Sequence, residues 1–519
     1  MRPQITTMAL VASFAASSIA DEIPETTPNA NHIFNAVHSS MRQWGSSLYH
    51  NGMSFFLASV PAGTHFYHGN PTPDPVSGME WLAFEPEHAM LFARMRVPPM
   101  GSRPIPPGKG PRGGKEGQGQ KPLSLSGPGD DNDDRRKDEG GWLHTYAAAK
   151  DLRLLYIDGM SAGKTRNGTL DSQNRILMND TVRDDQIEDE IRRARGMCQL
   201  ARETWDDRLD GVLRMEAGFE IILCSFERDL DFVRAVRVKP NDKRKRPPFG
   251  PPPFKKPGNN DTLHGLVPHT GPWFKAIAAR YHGIGGNRVK LNYDHFATAY
   301  TYGLDLFGGE SKKYRPRLTH LDSSQLEPIR HELNIFVMTH DTKEPSFDWQ
   351  VITDLVVERY AHALKYLVSG GIQTTRDLHC TIERLLEPFI DYSEARNTAL
   401  ESQRCADQFI PSSAPVNGTA ARAVRSISQT ICQTLLGAWE ESELDTAVHK
   451  IHNLVEYLSW TTWKECRGCQ DNEVCVVPVW PMGTMEDYDH PTCRDERLPE
   501  GEGQPYWGKM MMPGPQDEA

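Results

Sequence analysis

Short apolar runs separated by turn residues dominate the first half of the chain, and this pattern is typical of β-strands. The runs predict a first pair of strands turned by Pro61-Ala62-Gly63, then one further strand and finally three consecutive strands. The predicted strands cover residues 54–60, 64–68, 152–157, 211–215, 219–225 and 232–238.

Apolar residues at helical spacing precede the strands, and this spacing predominates after residue 262. Residues 29–60 begin with Ile33, Phe34 and Val37 near helical spacing, and 184–203 form a second amphipathic segment. In the second half, helices are predicted at 348–368, 374–389, 420–440 and 444–463. The pattern predicts an α+β protein, with a sheet domain at 29–238 followed by a mainly helical domain at 263–495.

Three segments interrupt the periodic pattern. Residues 97–140 are rich in proline, glycine and charge, and they predict a disordered insertion because they bury too little apolar surface to order themselves. Residues 239–262 form a linker rich in proline and lysine, which places the main domain boundary there. Residues 496–519 are predicted to be a polar, disordered tail.

The N-terminal segment indicates a secreted protein, and the charge balance bears on its possible partners. Residues 1–20 have the basic start, short apolar core and small-residue cleavage site of a signal peptide. No later run reaches the length that spans a bilayer, so no membrane span is expected. The net charge of −11 argues against general nucleic-acid binding. Sequons at four asparagines fit the secretory route: Asn167, Asn179, Asn260 and Asn417.

Nine cysteines follow the predicted signal peptide. In an oxidising compartment most are expected to pair, with at least one left over. Four of them lie close together with irregular spacing: Cys466, Cys469, Cys475 and Cys493. This spacing favours disulfides over a zinc site in a secreted chain, and no metal is expected.

Three separated segments place polar or aromatic residues on or beside short strands. They are Phe66-Tyr67-His68-Gly69, the run from Glu80 to Phe84 with Glu87-His88-Ala89 after it, and Phe219-Glu220-Ile221-Ile222-Leu223. A polar residue in such a position needs a hydrogen-bond partner or a function.

These segments resemble the ADP-ribosyltransferase superfamily, in the branch whose motif is a histidine, an aromatic residue and a glutamate. Tyr67-His68-Gly69, Trp81-Leu82-Ala83 and Glu220-Ile221-Ile222-Leu223 match the three motif strands in order. The resemblance covers about 160 of the 519 residues and implies a split-sheet domain. The whole chain also looks like a family of secreted fungal proteins of unassigned function.

The resemblance implies that NAD is the substrate and that its ADP-ribose passes to water or to an unknown acceptor. Glu220 would stabilise the oxocarbenium-like sugar, as carboxylates do in glycoside hydrolysis. His68 would hold a ribose hydroxyl, and Gly69 would let the backbone approach the nicotinamide. Trp81 would stack on the nicotinamide ring.

Each residue also has a structural interpretation. His68 is equally well explained as a buried strand histidine, and Trp81 as a core residue. Glu220 would then pair with an arginine such as Arg214, while the nearby Glu216 is an alternative functional acid. The same scaffold would in that case be a secreted binding or structural protein without catalysis.

A third interpretation is a serine hydrolase. Gly159-Met160-Ser161-Ala162-Gly163 matches the G-x-S-x-G nucleophile elbow and follows a predicted strand. Ser161 would then need a histidine within hydrogen-bond reach.

Overall fold

A computed structural model describes residues 27–94, 140–182, 190–239, 270–278, 280–285, 287–308, 315–495 and 504–507. Its α-helices are α1 Ala30–Ser39, α2 Gln43–Leu48, α3 Pro86–Arg94, α4 Glu190–Gln199, α5 Phe226–Asp229, α6 Thr270–Ala278, α7 Glu327–Thr339, α8 Trp349–Leu367, α9 Thr375–Leu386, α10 Thr398–Asp407, α11 Thr419–Trp439, α12 Leu444–Leu458 and α13 Met485–Asp489. Its strands are β1 Asn51–Val60, β2 His65–Asn70, β3 Glu80–Ala83, β4 Trp142–Ala148, β5 Leu152–Gly159, β6 Gly211–Met215, β7 Phe219–Leu223, β8 Leu230–Arg237, β9 Lys290–Thr298, β10 Glu473–Val476 and β11 Thr492–Asp495.

One nine-stranded sheet forms the centre of the protein, in the order β8-β4-β2-β3-β7-β6-β5-β1-β9. The pair β5 and β6 is parallel, and the other paired strands run antiparallel. Together with the many helices, this sheet confirms the predicted α+β class. The sheet is continuous across all nine strands, whereas the family resemblance implied a split sheet.

Burial along the sheet explains the apolar runs. Every residue of β6 and β7 is buried, as is nearly every residue of β1 and β5. Strands covered on both faces are expected to be continuously apolar rather than alternating. By contrast, β8 lies at one edge of the sheet and is mostly exposed.

The predicted hairpin of the first two strands is wrong. β1 pairs with β5 and β9, while β2 pairs with β3 and β4, so the two strands lie in different parts of the sheet. The turn at Pro61-Ala62-Gly63 contacts the end of β4 instead, where the Gly63 N–H donates to the Ala148 carbonyl at 2.8 Å. A two-residue or three-residue turn signal indicates a reversal of the chain but does not select the strand partner.

The second half of the chain is not packed separately from the first. Its strand β9 completes the sheet next to β1, and its helix α11 packs on α1. One continuous apolar cluster runs from Ala30 to Trp507. The predicted helices of this half are confirmed as α8, α9, α11 and α12.

Part of the predicted polar tail is buried. Within 504–507, Tyr506 is 3% exposed and Trp507 is 8% exposed. The Tyr506 hydroxyl lies 2.7 Å from His50 Nε2, and the Trp507 indole donates to the Met482 carbonyl. Two adjacent aromatic side chains supply enough apolar surface to anchor a segment that is otherwise polar.

Four disulfides are present: Cys198–Cys224, Cys405–Cys432, Cys466–Cys475 and Cys469–Cys493. Cys380 on α9 is a free, exposed thiol. This confirms the expectation that most cysteines pair with one left over, and that the four C-terminal cysteines form disulfides.

Several predicted features lie outside the described residues. They are the signal peptide at 1–20, the insertion at 97–140 except its last residue, and the linker at 240–262. Asn260 lies there too. Among the described helices, none combines the length and apolar character that crossing a bilayer demands.

The disulfide between Cys198 and Cys224 joins α4 to the end of β7, across 26 residues. We expect the double substitution Cys198→Ala, Cys224→Ala to lower the free energy of unfolding by roughly 3 kcal/mol, since a closed loop of this size restricts the unfolded chain. Urea unfolding monitored by circular dichroism measures the loss. Cys380→Ala is the control, and equal transition midpoints for the two variants would contradict the prediction.

Candidate functional site

The three segments singled out in the sequence lie on three neighbouring strands. β3 lies between β2 and β7 in the sheet. Tyr67 pairs with Ala83, and Ala83 pairs with Glu220 on its other side. The backbones of these three segments therefore lie side by side in the sheet.

The side chains of the predicted site do not all lie on one face. Residues directly opposite each other in a sheet share a face, and successive residues alternate. By this register Gly69, Trp81 and Glu220 share a face with Ala83. His68 follows Tyr67 and therefore projects from the opposite face. The pleat therefore places the side chains of His68 and Glu220 on opposite faces of the sheet, whereas the roles that the resemblance implies place both beside one ribose.

His68 is a buried strand histidine in this arrangement. Its Nδ1 lies 2.8 Å from the Trp81 carbonyl, which can only accept, so Nδ1 carries the proton. The ring packs edge-on against Phe226, with centroids 5.5 Å apart. Burial lowers the pKa of His68 to about 3 although the Trp81 carbonyl opposes this shift. The ring is thus neutral at physiological pH.

Helix α3 covers the other face, at Gly69. A Cβ at Gly69 would lie 2.4 Å from the Ala89 carbonyl oxygen and 2.5 Å from the Ala93 nitrogen. Glycine is therefore required there for the close approach of helix and strand. Trp81, on the same face, is 3% exposed, and its indole N–H has no hydrogen-bond partner within the described part of the chain.

Glu220 pairs with Arg214, the arginine that the sequence offered as its partner. The two residues are opposite each other on β7 and β6. Arg214 Nη2 lies 2.8 Å from Glu220 Oε1, and Arg214 Nε lies 3.0 Å from the same oxygen. Arg214 also bonds Glu190 and, through Nη1, the Gln173 side-chain oxygen at 2.9 Å. All of its hydrogen-bonding partners are buried.

A second buried ion pair adjoins the first. Lys164, at the end of the glycine-rich turn after β5, pairs with Glu216 in the turn between β6 and β7. Burial raises the pKa of Glu216 above its ordinary value, with Lys164 opposing the shift and Glu220 adding to it. For Glu190, burial acts in the same direction, but Arg214, Lys164 and Arg193 together outweigh it, and the pKa lies at about 2.

These groups form a closed cluster in which charges balance. Its basic members are Lys164, Arg193 and Arg214, and its acidic members are Glu190, Glu216 and Glu220, each at most 8% exposed. Buried charges are tolerated only where they are paired and hydrogen-bonded. Even so, one carboxylate oxygen of Glu216 and one of Glu220 have no hydrogen-bond partner among the described residues.

The histidine that faces Glu220 is His88, on α3. Single ligand atoms of His88, Glu216 and Glu220 lie within 4.8 Å of one another. Trp273 Nε1 donates to His88 Nδ1 at 3.1 Å. An indole N–H can only donate, so Nδ1 accepts and the proton of the neutral ring lies on Nε2. The N–H at His88 Nε2 has no hydrogen-bond partner among the described residues, and this protonated nitrogen offers no lone pair to a metal.

The sequence contains His88 beside the second motif but carries no signal that assigns it a role. Its position depends on which face of the sheet α3 covers. That face is set by the contact of Ala89 and Ala93 with Gly69, a packing of α3 on β2 that the local pattern of either segment does not show.

Ser161 does not meet the requirement of a serine nucleophile. It is fully buried, and its hydroxyl donates to the Ile157 carbonyl at 2.9 Å. Within the described part of the chain, it hydrogen-bonds to no histidine. The glycine-rich turn instead positions Lys164 against Glu216.

We expect Arg214→Met to lower the free energy of unfolding by about 3–5 kcal/mol, because it leaves Glu220 buried without its cation and removes one of the two arginines that pair with Glu190. Chemical denaturation measures this loss. Arg425→Met is the control, since Arg425 is half exposed and lies 4.0 Å from Asp407. A loss at Arg214 no larger than at Arg425 would show that the cluster does not depend on the guanidinium.

The pH dependence of stability tests the neutral ring of His68. Because the folded pKa is about 3 and lies below the unfolded value, the stabilisation is full above pH ~6.5 and is lost as pH falls towards 3. The stability of His68→Gln should therefore decline less between pH 7 and pH 4 than that of the wild type. His452→Gln is the surface control. Thermal unfolding across this range measures both slopes, and equal slopes in the two variants would refute a buried neutral ring.

Known proteins are similar to the first half of the chain and, in one case, to most of its length. Residues 23–248 match the family described as YPL277C N-terminal domain. Along 89% of its length, the chain is 26% identical to the uncharacterized protein YOR389W of Saccharomyces cerevisiae, of which the match covers 84%. The uncharacterized yeast protein YPL277C is 32% identical over 225 residues, which are 41% of this chain and 44% of that relative. No solved structure matches.

These similarities confirm the expected likeness to fungal proteins of unassigned function, and none of the matching descriptions is that of an ADP-ribosyltransferase. The matched region 23–248 ends just after β8 and so holds eight of the nine strands of the central sheet. The part of the chain that carries the charged cluster is therefore similar to the YPL277C N-terminal domain family.

Proposed function

We propose that the protein cleaves the glycosidic bond between nicotinamide and ribose in NAD and transfers the ADP-ribose to water or to another acceptor. The observation that carries this proposal is the grouping of Glu216, Glu220 and His88 within 4.8 Å, on the face of the sheet that Trp81 shares. Two carboxylates beside one hydrogen-bond donor are the groups that chemistry at a sugar C1′ requires.

In this mechanism each group has a separate role. Glu220 stabilises the positive charge that develops on the ribose as the bond from C1′ to nitrogen breaks and the electron pair leaves with neutral nicotinamide. As the oxygen of the attacking water bonds to C1′, Glu216 takes a proton from that water. This role of general base suits a carboxyl group with a raised pKa. The Nε2–H of His88 donates to a ribose hydroxyl, which is the role that the resemblance implied for His68.

The substrate must be able to reach Glu216 and Glu220 for this reaction to occur. Both Glu216 and Glu220 are fully buried. His88, which contacts Trp273 of α6, covers them from the side of α3. Substrate binding therefore requires α3 or α6 to move away from the sheet, and the proposal includes that opening.

The same burial favours a second candidate function, a binding or structural protein that uses this scaffold without catalysis. Three buried cations matched by three buried anions form a self-contained network that needs no ligand for its charge. Such networks specify a fold in some proteins, although replacing them with apolar residues can be neutral for stability.

Nicotinamide release from NAD by the purified full-length protein separates the two candidates. We expect release by the wild type and a loss of at least 100-fold in Glu220→Gln, the scale on which single charge-stabilising groups act. Glu456→Gln, at a half-exposed site on α12, is the matched control and should retain the full rate. Thermal unfolding of each variant shows that the loss does not come from misfolding.

The outcomes are distinct. Release that depends on Glu220 but not on Glu456 supports the enzyme. Absence of release, together with absence of NAD binding by calorimetry, refutes it and leaves the binding or structural protein. Release that Glu220→Gln retains would refute the assignment of Glu220 as the carboxylate that stabilises the developing charge.

A further inference from the structure

A group of two histidines and a glutamate lies on the surface, outside the charged cluster. It consists of His295 on β9, His340 directly after α7, and Glu344 in the following turn. Single ligand atoms of the three residues lie within 4.8 Å of one another. His295 is exposed, and the side chains of His340 and Glu344 are 29% and 38% exposed, so solvent reaches all three.

The two imidazoles are already held together. Their ring centroids lie 3.8 Å apart and their planes differ by 16°. The lone pairs of an imidazole lie in the plane of its ring, so a metal bound to both rings sits at a shared edge of the stack. The rings must open towards that edge, which needs only rotations of side chains at the surface.

The carboxylate is oriented towards the histidines. Glu344 Oε1 accepts from the Asp341 N–H at 3.0 Å, which leaves Oε2 directed at His340 Nδ1 at 3.2 Å. Backbone hydrogen bonds to a ligating carboxylate are typical of metal sites, because they fix the ligand before the metal binds. The C-terminal end of α7 adds partial negative charge beside His340, and this favours a cation.

We propose that His295, His340 and Glu344 bind a divalent transition metal of the zinc class. Two imidazole nitrogens and one carboxylate oxygen suit Zn²⁺ or Ni²⁺, whereas Mg²⁺ prefers oxygen ligands alone. In a tetrahedral zinc site with bonds of about 2.1 Å, neighbouring ligand atoms are roughly 3.4 Å apart. Contraction from separations of up to 4.8 Å therefore requires a shift of about 1 Å.

The metal would join two parts of the fold. His295 belongs to the edge strand of the sheet, and His340 and Glu344 follow a helix that begins more than 30 residues later. Three protein ligands leave a fourth position for water or for a side chain of another molecule. Because binding selects the folded chain, the melting temperature should rise with metal concentration.

Calorimetric titration of the full-length protein with ZnCl2 tests the site. All variants should carry Cys380→Ser, since the exposed thiol of Cys380 is a competing zinc ligand. The C-terminal cysteines do not compete, because they are bonded in disulfides. We expect one saturable site, with binding weakened at least tenfold by His295→Asn and by His340→Asn.

A matched control is available on the same helix. His331→Asn removes an exposed histidine of α7 that lies outside the group and should leave zinc affinity unchanged. MgCl2 should give no saturable binding. The proposal is overturned by an absence of saturable zinc binding, by binding that survives the double substitution of His295 and His340, or by an equal loss in His331→Asn.

Discussion

The guanidinium of Arg214 is the interaction on which the centre of the sheet depends. It lies on β6, fully buried, and it pairs with Glu220 on the next strand and with Glu190 on the helix that covers the sheet. Without this cation, Glu220 would lie in the interior without its ion-pair partner, and Glu190 would keep its pair with Arg193. The burial of acids in the most apolar part of the sheet is therefore a consequence of one arginine with several partners.

The charged cluster groups ionisable side chains in the buried interior of the first half of the chain. Lys164 compensates Glu216 at the turn after β5, and His88 closes the group from α3. Glu216, whose pKa is raised, lies next to Glu220, which is paired with Arg214. Two neighbouring carboxyl groups in such different environments are a common basis for acid–base chemistry. The same paired charges are also explained as a closed structural network without catalysis. Measuring NAD turnover is therefore what distinguishes an enzyme from a non-catalytic protein.

The surface group at His295 has a different physical basis. Its residues are exposed, carry no buried charge and are brought together by the junction of the edge strand β9 with the end of α7. All three residues come from the second half of the chain, and β9 also pairs with β1 from the first half, so the group lies where this half joins the central sheet.

The sequence by itself determined the elements that depend on local pattern. Apolar runs predicted β5, β6, β7 and β8, helical spacing predicted the long C-terminal helices, and the number of cysteines predicted pairing with one thiol left over. The pairing of Glu220 with Arg214 was also within reach, because residues that flank a short turn face each other across a hairpin. Only the tertiary structure decided which strands are neighbours, that His68 and Glu220 lie on opposite faces, and that Tyr506 and Trp507 are buried. These properties depend on contacts between residues tens to hundreds of positions apart, and the local periodicity of a sequence does not encode them.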